Sequence, residues 1–209
     1  MLMCAEDNEA RMLGRVASPL IFSHDVHTEG FYRFDLACDR LSENQDIIPV
    51  TISERLIESV DLSVGARVEV SGQFRSYNNY SGEGSRLVLT LFARNIREAD
   101  EAEAFENEIY LNGYICKPVV YRVTPFGREI ADLLIAVNRA YRKSDYIPCI
   151  AWGRNAKFAD SLDVGTNIKI YGRMQSREYQ KRLSEEETVT KTAFEVSINK
   201  LETVKTETV

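Results

Sequence analysis

Apolar and polar residues alternate at period two along several short stretches of this 209-residue chain, the mark of half-buried strands. Arg67-Val-Glu-Val-Ser and Asn167-Ile-Lys-Ile-Tyr show it, as do residues 87–91 and 194–198. Two stretches change period. Leu56/Val60 and Phe158/Leu162 form i,i+4 apolar pairs, and Ser53 and Asn155 stand where helix N-caps would, so short helices are predicted over 53–60 and 155–162. No apolar run approaches the roughly 20 residues of a membrane-spanning helix. The start, Met-Leu-Met-Cys-Ala-Glu-Asp, lacks the basic and apolar regions of a secretory signal, which points to a cytoplasmic protein.

These patterns come in pairs. Gly14, Pro19 and Phe22 line up with Gly113, Pro118 and Tyr121, and Asp46-Ile-Ile-Pro49 lines up with Asp145-Tyr-Ile-Pro148, all at a shift of 99. Leu62, Gly65 and Gly72 meet Leu162, Gly165 and Gly172 at a shift of 100, and Leu89 and Leu91 meet Phe194 and Val196 at 105. The shift changes between apolar segments, where loops tolerate insertions. The chain is a duplication. Each unit reads as five strands with one helix between the third and fourth, the order of an oligonucleotide-binding (OB) barrel. Gly72 and Gly172 suit a bulge that bends the fourth strand. The fold class is therefore all-β, with one short helix per unit: two tandem OB-fold five-stranded barrels. The first unit spans residues 1–97, an acidic linker 98–106, and the second unit 107–209.

Charge separates the halves. Residues 1–105 hold 10 basic and 18 acidic residues, net −8, whereas 106–209 hold 16 and 14, net +2. Such asymmetry hints at nucleic-acid contact confined to the second half. The four cysteines form no CxxC and read as reduced, mostly buried thiols. His24 and His27 flank Asp25 without a second ligand cluster and read as solvated polar residues, so neither metal nor cofactor is expected. No Ser/His/Asp set or Walker loop appears, which argues against an enzyme.

The second unit resembles the bacterial single-stranded DNA-binding protein family. The resemblance rests on Asn112-Gly113-Tyr-Ile, Thr124-Pro-Phe-Gly127, Ile135-Ala-Val-Asn-Arg139, residues 145–153 ending Trp152-Gly153, and Gly172-Arg-Met-Gln-Ser-Arg-Glu-Tyr179, over residues 107–202. A primosomal OB protein of the same ancestry shares many of these blocks. The resemblance implies binding of single-stranded DNA in replication, recombination or repair. Its tandem form implies a homodimer presenting four barrels. One departure is the ending, Leu201-Glu-Thr-Val-Lys-Thr-Glu-Thr-Val209, which shows no acidic recruiting tail of the family's kind.

A single strand is held without sequence preference by stacking on aromatic rings and by positive charge along its phosphates. The resemblance places Tyr141, Tyr146, Trp152 and Tyr179 at stacking positions, and Arg139, Arg142, Lys143, Arg154, Arg173, Arg177, Lys181 and Arg182 interleave with them. Tyr146 and Trp152 differ by an even six and face the same way on a strand. A large aromatic also suits a core, which leaves Trp152 with two readings. The first unit has Ser42, Ile47 and Ser53 where the second has Tyr141, Tyr146 and Trp152. Only Tyr77 and Tyr80, beside Arg75 and Arg86, remain there as stackers, so this unit reads as structural or protein-facing. A protein-interaction module built on OB scaffolds and an RNA-binding protein are the competing readings, since stacking is indifferent to the sugar.

Overall fold

The computed structural model describes residues 7–40, 44–79, 87–182 and 188–204, with only the backbone at 181–182. The first set of elements is β1 (Asn8–Val16), β2 (Ile21–Val26), β3 (Glu29–Asp39), β4 (Gln45–Ser53), α1 (Glu54–Ile57), β5 (Arg67–Asn78) and β6 (Leu87–Glu98). The second is β7 (Glu106–Ile115), β8 (Val120–Val123), β9 (Glu129–Arg139), β10 (Lys143–Trp152), α2 (Arg154–Asp160), β11 (Asn167–Arg182) and β12 (Thr188–Thr203). In the first set β1 pairs with β3, β3 with β4, β4 in parallel with β6, β6 with β5, and β5 with β1 again. That circuit is a closed five-stranded barrel, barrel 1. The second set closes the same way into barrel 2. The short strands β2 and β8 lie outside each ring, paired to β3 and β9. Most residues of β2 are exposed, so no alternation marks it in the sequence.

Alternate residues of each strand fill the barrels. Phe34, Leu36, Ile48, Val50, Ile52, Phe74 and Leu91 are buried in barrel 1, and Ile135, Ile147, Ile168, Ile170, Met174 and Val196 in barrel 2. The register slips at Ser71/Gly72 and at Tyr171/Gly172. Here glycine is required, because a Cβ on Gly72 would collide with the carbonyl oxygen of Phe92, and one on Gly172 with that of Ser197. Just past each bulge an asparagine amide substitutes for a strand partner. Asn8 Nδ2 donates to Phe74 O (2.8 Å) while Asn8 Oδ1 accepts from Phe74 N (3.0 Å), and Asn107 does the same with Met174 (2.6 and 2.9 Å).

The helices are shorter than their pattern predicts. Ser53 caps α1, accepting from Arg55 N at 3.3 Å, but the helix ends at Ile57. The N-cap of α2 is Gly153 (φ 53°), not Asn155, whose amide instead donates to Asn199 O at 3.0 Å. The connection between barrels is pinned by charge. Arg15 pairs with Glu101 (2.6 Å), Arg97 with Glu103 (2.7 Å), and the Arg67 guanidinium lies 4.5 Å from the Phe105 ring centroid. Bonds from Arg97, then from the Asp100 N–H, hold the Glu103 carboxyl down at about 2.

The barrels join along β1 and β7, antiparallel and centred on Ala10 opposite Ile109. These residues are 99 apart, so the join is a pseudo-two-fold axis of the duplication. Two polar contacts flank it. Asp145 Oδ1 accepts from Ser76 N (2.8 Å) while Tyr146 N donates to Ser76 Oγ (2.7 Å). Asp46 Oδ1 accepts from Ser176 N (3.3 Å) while Ile47 N donates to Ser176 Oγ (3.0 Å). Both carboxylates are buried; Arg139 reaches Asp145 at 3.3 Å, and Arg40 and Arg173 both bond Asp46. Burial nevertheless raises the Asp145 carboxyl above its ordinary value, with the Ser76 bond and Arg139 opposing.

Candidate nucleic-acid interface

The outer surface of barrel 2 is set by strand parity. On β10, Ile147, Cys149 and Ala151 point inward, so Tyr146 and Trp152 point out. Tyr146 is 46% exposed and Trp152 is 39% exposed, with its Nε1 donating to Ser197 Oγ at 3.2 Å. Trp152 is thus a wall residue and not core. The ring is partly exposed while its N–H stays satisfied, an arrangement suited to a tryptophan at a binding surface.

Tyr141 sits on the loop between β9 and β10 and is 93% exposed. Arg139 pairs with Lys143 across a three-residue loop, and within it Tyr141 (φ 61°) and Arg142 (φ 55°) both adopt the left-handed conformation. That geometry costs a non-glycine residue roughly 1–2 kcal/mol. Strain of this kind collects at functional sites, where surrounding structure holds it. Here it lifts an aromatic ring off the barrel, with exposed Arg142 and Lys143 beside it.

Tyr179 lies, partly buried, on the arm that β11 and β12 extend beyond the ring, opposite Lys191. The Arg177 guanidinium lies 6.0 Å from its ring centroid, and Arg177 Nε is 3.6 Å from Glu195. Arg154, exposed, opens α2 two residues after Trp152. Arg139 and Arg173 are placed differently from the other basic residues. Their guanidiniums are engaged by Asp145 and Asp46 in the junction, so their first role is to neutralise buried carboxylates there. The side chains of Lys181 and Arg182 lie outside the described residues, as do Ser42, Tyr80 and Arg86.

An exposed aromatic outside the predicted set lies on the same barrel. Phe126, in the Thr124–Gly127 hairpin, is 92% exposed; Gly127 (φ 74°) closes the turn, and Arg128 N donates to Thr124 Oγ1 at 3.0 Å. Its signal was an aromatic inside a turn motif, where packing cannot explain it. The face also carries acid. Glu195 is buried and accepts from Gln175 Nε2 at 2.6 Å, and Asp132 is taken up by Arg122 at 2.8 Å.

Two of the described thiols are shifted away from reactivity. Cys38 and Cys149 are buried and unpaired, and desolvation pushes the Cys38 thiol up to about 11 and Cys149 higher still. Thiolate reactivity needs the opposite shift. No helix among the described residues is long and apolar enough to cross a membrane.

Comparison with known proteins matches residues 106–203 to the model of the Single-strand binding protein family. Single-stranded DNA-binding protein 3 of Streptococcus agalactiae is 31% identical over 96 residues, 43% of this chain and 70% of that protein. Single-stranded DNA-binding protein A of Bacillus subtilis is 33% identical over 96 residues, 43% of this chain and 56% of its own length. The chain spans about half the length of the curated relatives it matches in Bacillus subtilis and Staphylococcus aureus. The wild-type single-stranded DNA binding protein from Thermus aquaticus has a TM-score of 0.76 at 18% identity, covering 97% of this chain and 95% of its own. That likeness extends the shared fold across both barrels.

Proposed function

We propose that this chain, which belongs to the single-strand binding protein family, binds single-stranded DNA with little regard to sequence, mainly through the outer face of barrel 2. The observation that carries the reading is Tyr141. A ring 93% exposed, held on a strained loop and followed by Arg142 and Lys143, has no packing role to explain it. With Tyr146 and Trp152 on the adjoining strand it offers stacking surfaces, and Arg142, Lys143, Arg154 and Arg177 offer positive charge. Stacking contributes about 1–3 kcal/mol per base and tolerates any base. The activity is binding without chemistry, in DNA replication, recombination or repair. Two chains supply four barrels as a homodimer, with Arg139 and Arg173 supporting the groove from the junction.

The test is competition. Unlabelled oligo(dT) should displace a labelled single strand from the protein, and duplex DNA of the same length should not. Equal displacement by the duplex would contradict the stacking account. The net charge of −8 on the first half favours a second reading, an assembly module that meets a basic protein partner. Absence of any single-strand binding at low salt would leave that reading in its place.

A further inference from the structure

Barrel 1 lacks aromatics at the β4 positions that barrel 2 fills on β10. Ile47 and Ser53 stand where Tyr146 and Trp152 do. The neighbouring strands show the reverse. Thr51 lies opposite Phe92 in the parallel β4–β6 pair, as Ile150 lies opposite Ser197 in β10–β12, so Phe92 occupies the Ser197 position. By the same register Arg75 and Tyr77 occupy the positions of Gln175 and Arg177, and Thr90 that of the buried acid Glu195. The aromatic has moved one strand sideways on the same face, and the acid has gone.

The result is a groove of about 400 Å³. Thr51 and Thr90, hydrogen-bonded to each other at 2.8 Å, form its floor. The Arg75 guanidinium lies 3.8 Å from the Phe92 ring centroid on one side. Exposed His24, stacked on Phe31 at 5.2 Å and 12° between planes, forms another wall. Tyr77, 44% exposed, completes it, with Arg33 3.4 Å from its hydroxyl. Arg139 of barrel 2 closes the end, and among the described residues no carboxylate lines the groove. In a half of the chain that is net −8, Arg33 and Arg75 meet flat rings, and Arg139 joins them from the other half. The groove also adjoins the barrel 2 face, since Ser76, next to Tyr77, accepts from the backbone N–H of Tyr146.

We propose that this groove is a second single-strand subsite, in which His24, Tyr77 and the Arg75–Phe92 pair receive unpaired bases of a strand that leaves barrel 2 past Tyr146. Planar groups with interleaved guanidiniums are the chemistry that stacks bases and meets phosphates. The proposal rests on strand binding by barrel 2, and the test separates the two. One OB barrel occupies about 4–16 nucleotides, so oligo(dT) of about 10 probes one barrel and of about 30 probes both. Trp152, the only tryptophan, reports barrel 2.

In the double variant His24→Ala/Tyr77→Ala, affinity for the long strand should fall about tenfold, while quenching of Trp152 by the short strand keeps its wild-type midpoint. Both side chains are exposed, so folding should survive. Photocrosslinking of wild-type protein to a 5-iodouracil-substituted long strand supplies the second readout and should mark His24, Tyr77 or Phe92. Unchanged long-strand affinity without such crosslinks overturns the proposal and leaves barrel 2 binding intact. Silence of Trp152 with both lengths overturns the barrel 2 reading and the subsite with it. A Glu/Phe-rich peptide that binds this groove when no strand crosslinks there assigns it to a protein partner and overturns the proposal.

Discussion

Two substitutions at Tyr141 separate its cost from its use. In Tyr141→Ala the ring goes but the Cβ stays, so the left-handed strain at φ 61° persists. With the side chain 93% exposed, little packing is lost and the melting temperature should not move. In Tyr141→Gly the strain of roughly 1–2 kcal/mol is released. Glycine returns about 0.5–1 kcal/mol of that through the entropy of the unfolded chain. A net gain of about 0.5–1 kcal/mol remains, which raises the melting temperature by about 1–4 °C in a chain of this size. Both variants lose one stacking ring, about 1–3 kcal/mol, so affinity for oligo(dT) should fall roughly tenfold in each. The assays are a thermal melt and an anisotropy titration on the same preparations. A drop in stability with Tyr141→Ala would refute the exposure argument. Wild-type affinity in both variants would refute the stacking role.

Other outcomes follow from the fold and the ion pairs. Gly172→Ala should lower stability by about 2–3 kcal/mol, since a Cβ there meets the Ser197 carbonyl; a urea midpoint within error of wild type would contradict the bulge geometry. Glu103 has a depressed folded value of about 2 against an ordinary 4.5, so its contribution is present above pH 4.5 and is lost as pH falls toward 2. Urea midpoints measured across that window should fall less steeply in Glu103→Gln, and parallel curves would sink the assignment. Light scattering at micromolar concentration should give twice the 23.8 kDa chain mass, and a monomer would exclude the four-barrel assembly.

Where the sequence could be read, the reason was geometric necessity. Gly72 and Gly172 marked the bulges because no side chain fits beneath those carbonyls, and their repetition exposed the duplication. Tyr146 and Trp152 were placed on one face by parity alone. What stayed hidden depended on neighbours distant in sequence. The sequence pattern sets Arg173 among the basic residues of the face and cannot show its partner Asp46, 127 residues away across the junction. The α2 cap was misassigned because Gly153 offers no side chain to recognise, while Asn155 has the right chemistry and a different partner. The aromatic of barrel 1 does not show at the matching position along β4. Phe92 supplies it from the adjacent strand, 41 residues beyond Thr51 in sequence and beside it in the sheet.

The central claim is tested most directly by Trp152 emission during titration with oligo(dT) at several salt concentrations. Saturable quenching should appear, with log K falling against log salt by about 0.7 for each phosphate neutralised. The exposed cations Arg142, Lys143, Arg154 and Arg177 therefore set an expected slope of about −3 if each meets one phosphate. Tight binding with a slope near zero, or no change in Trp152 emission at saturating strand, would contradict the assignment of the strand to the face of barrel 2.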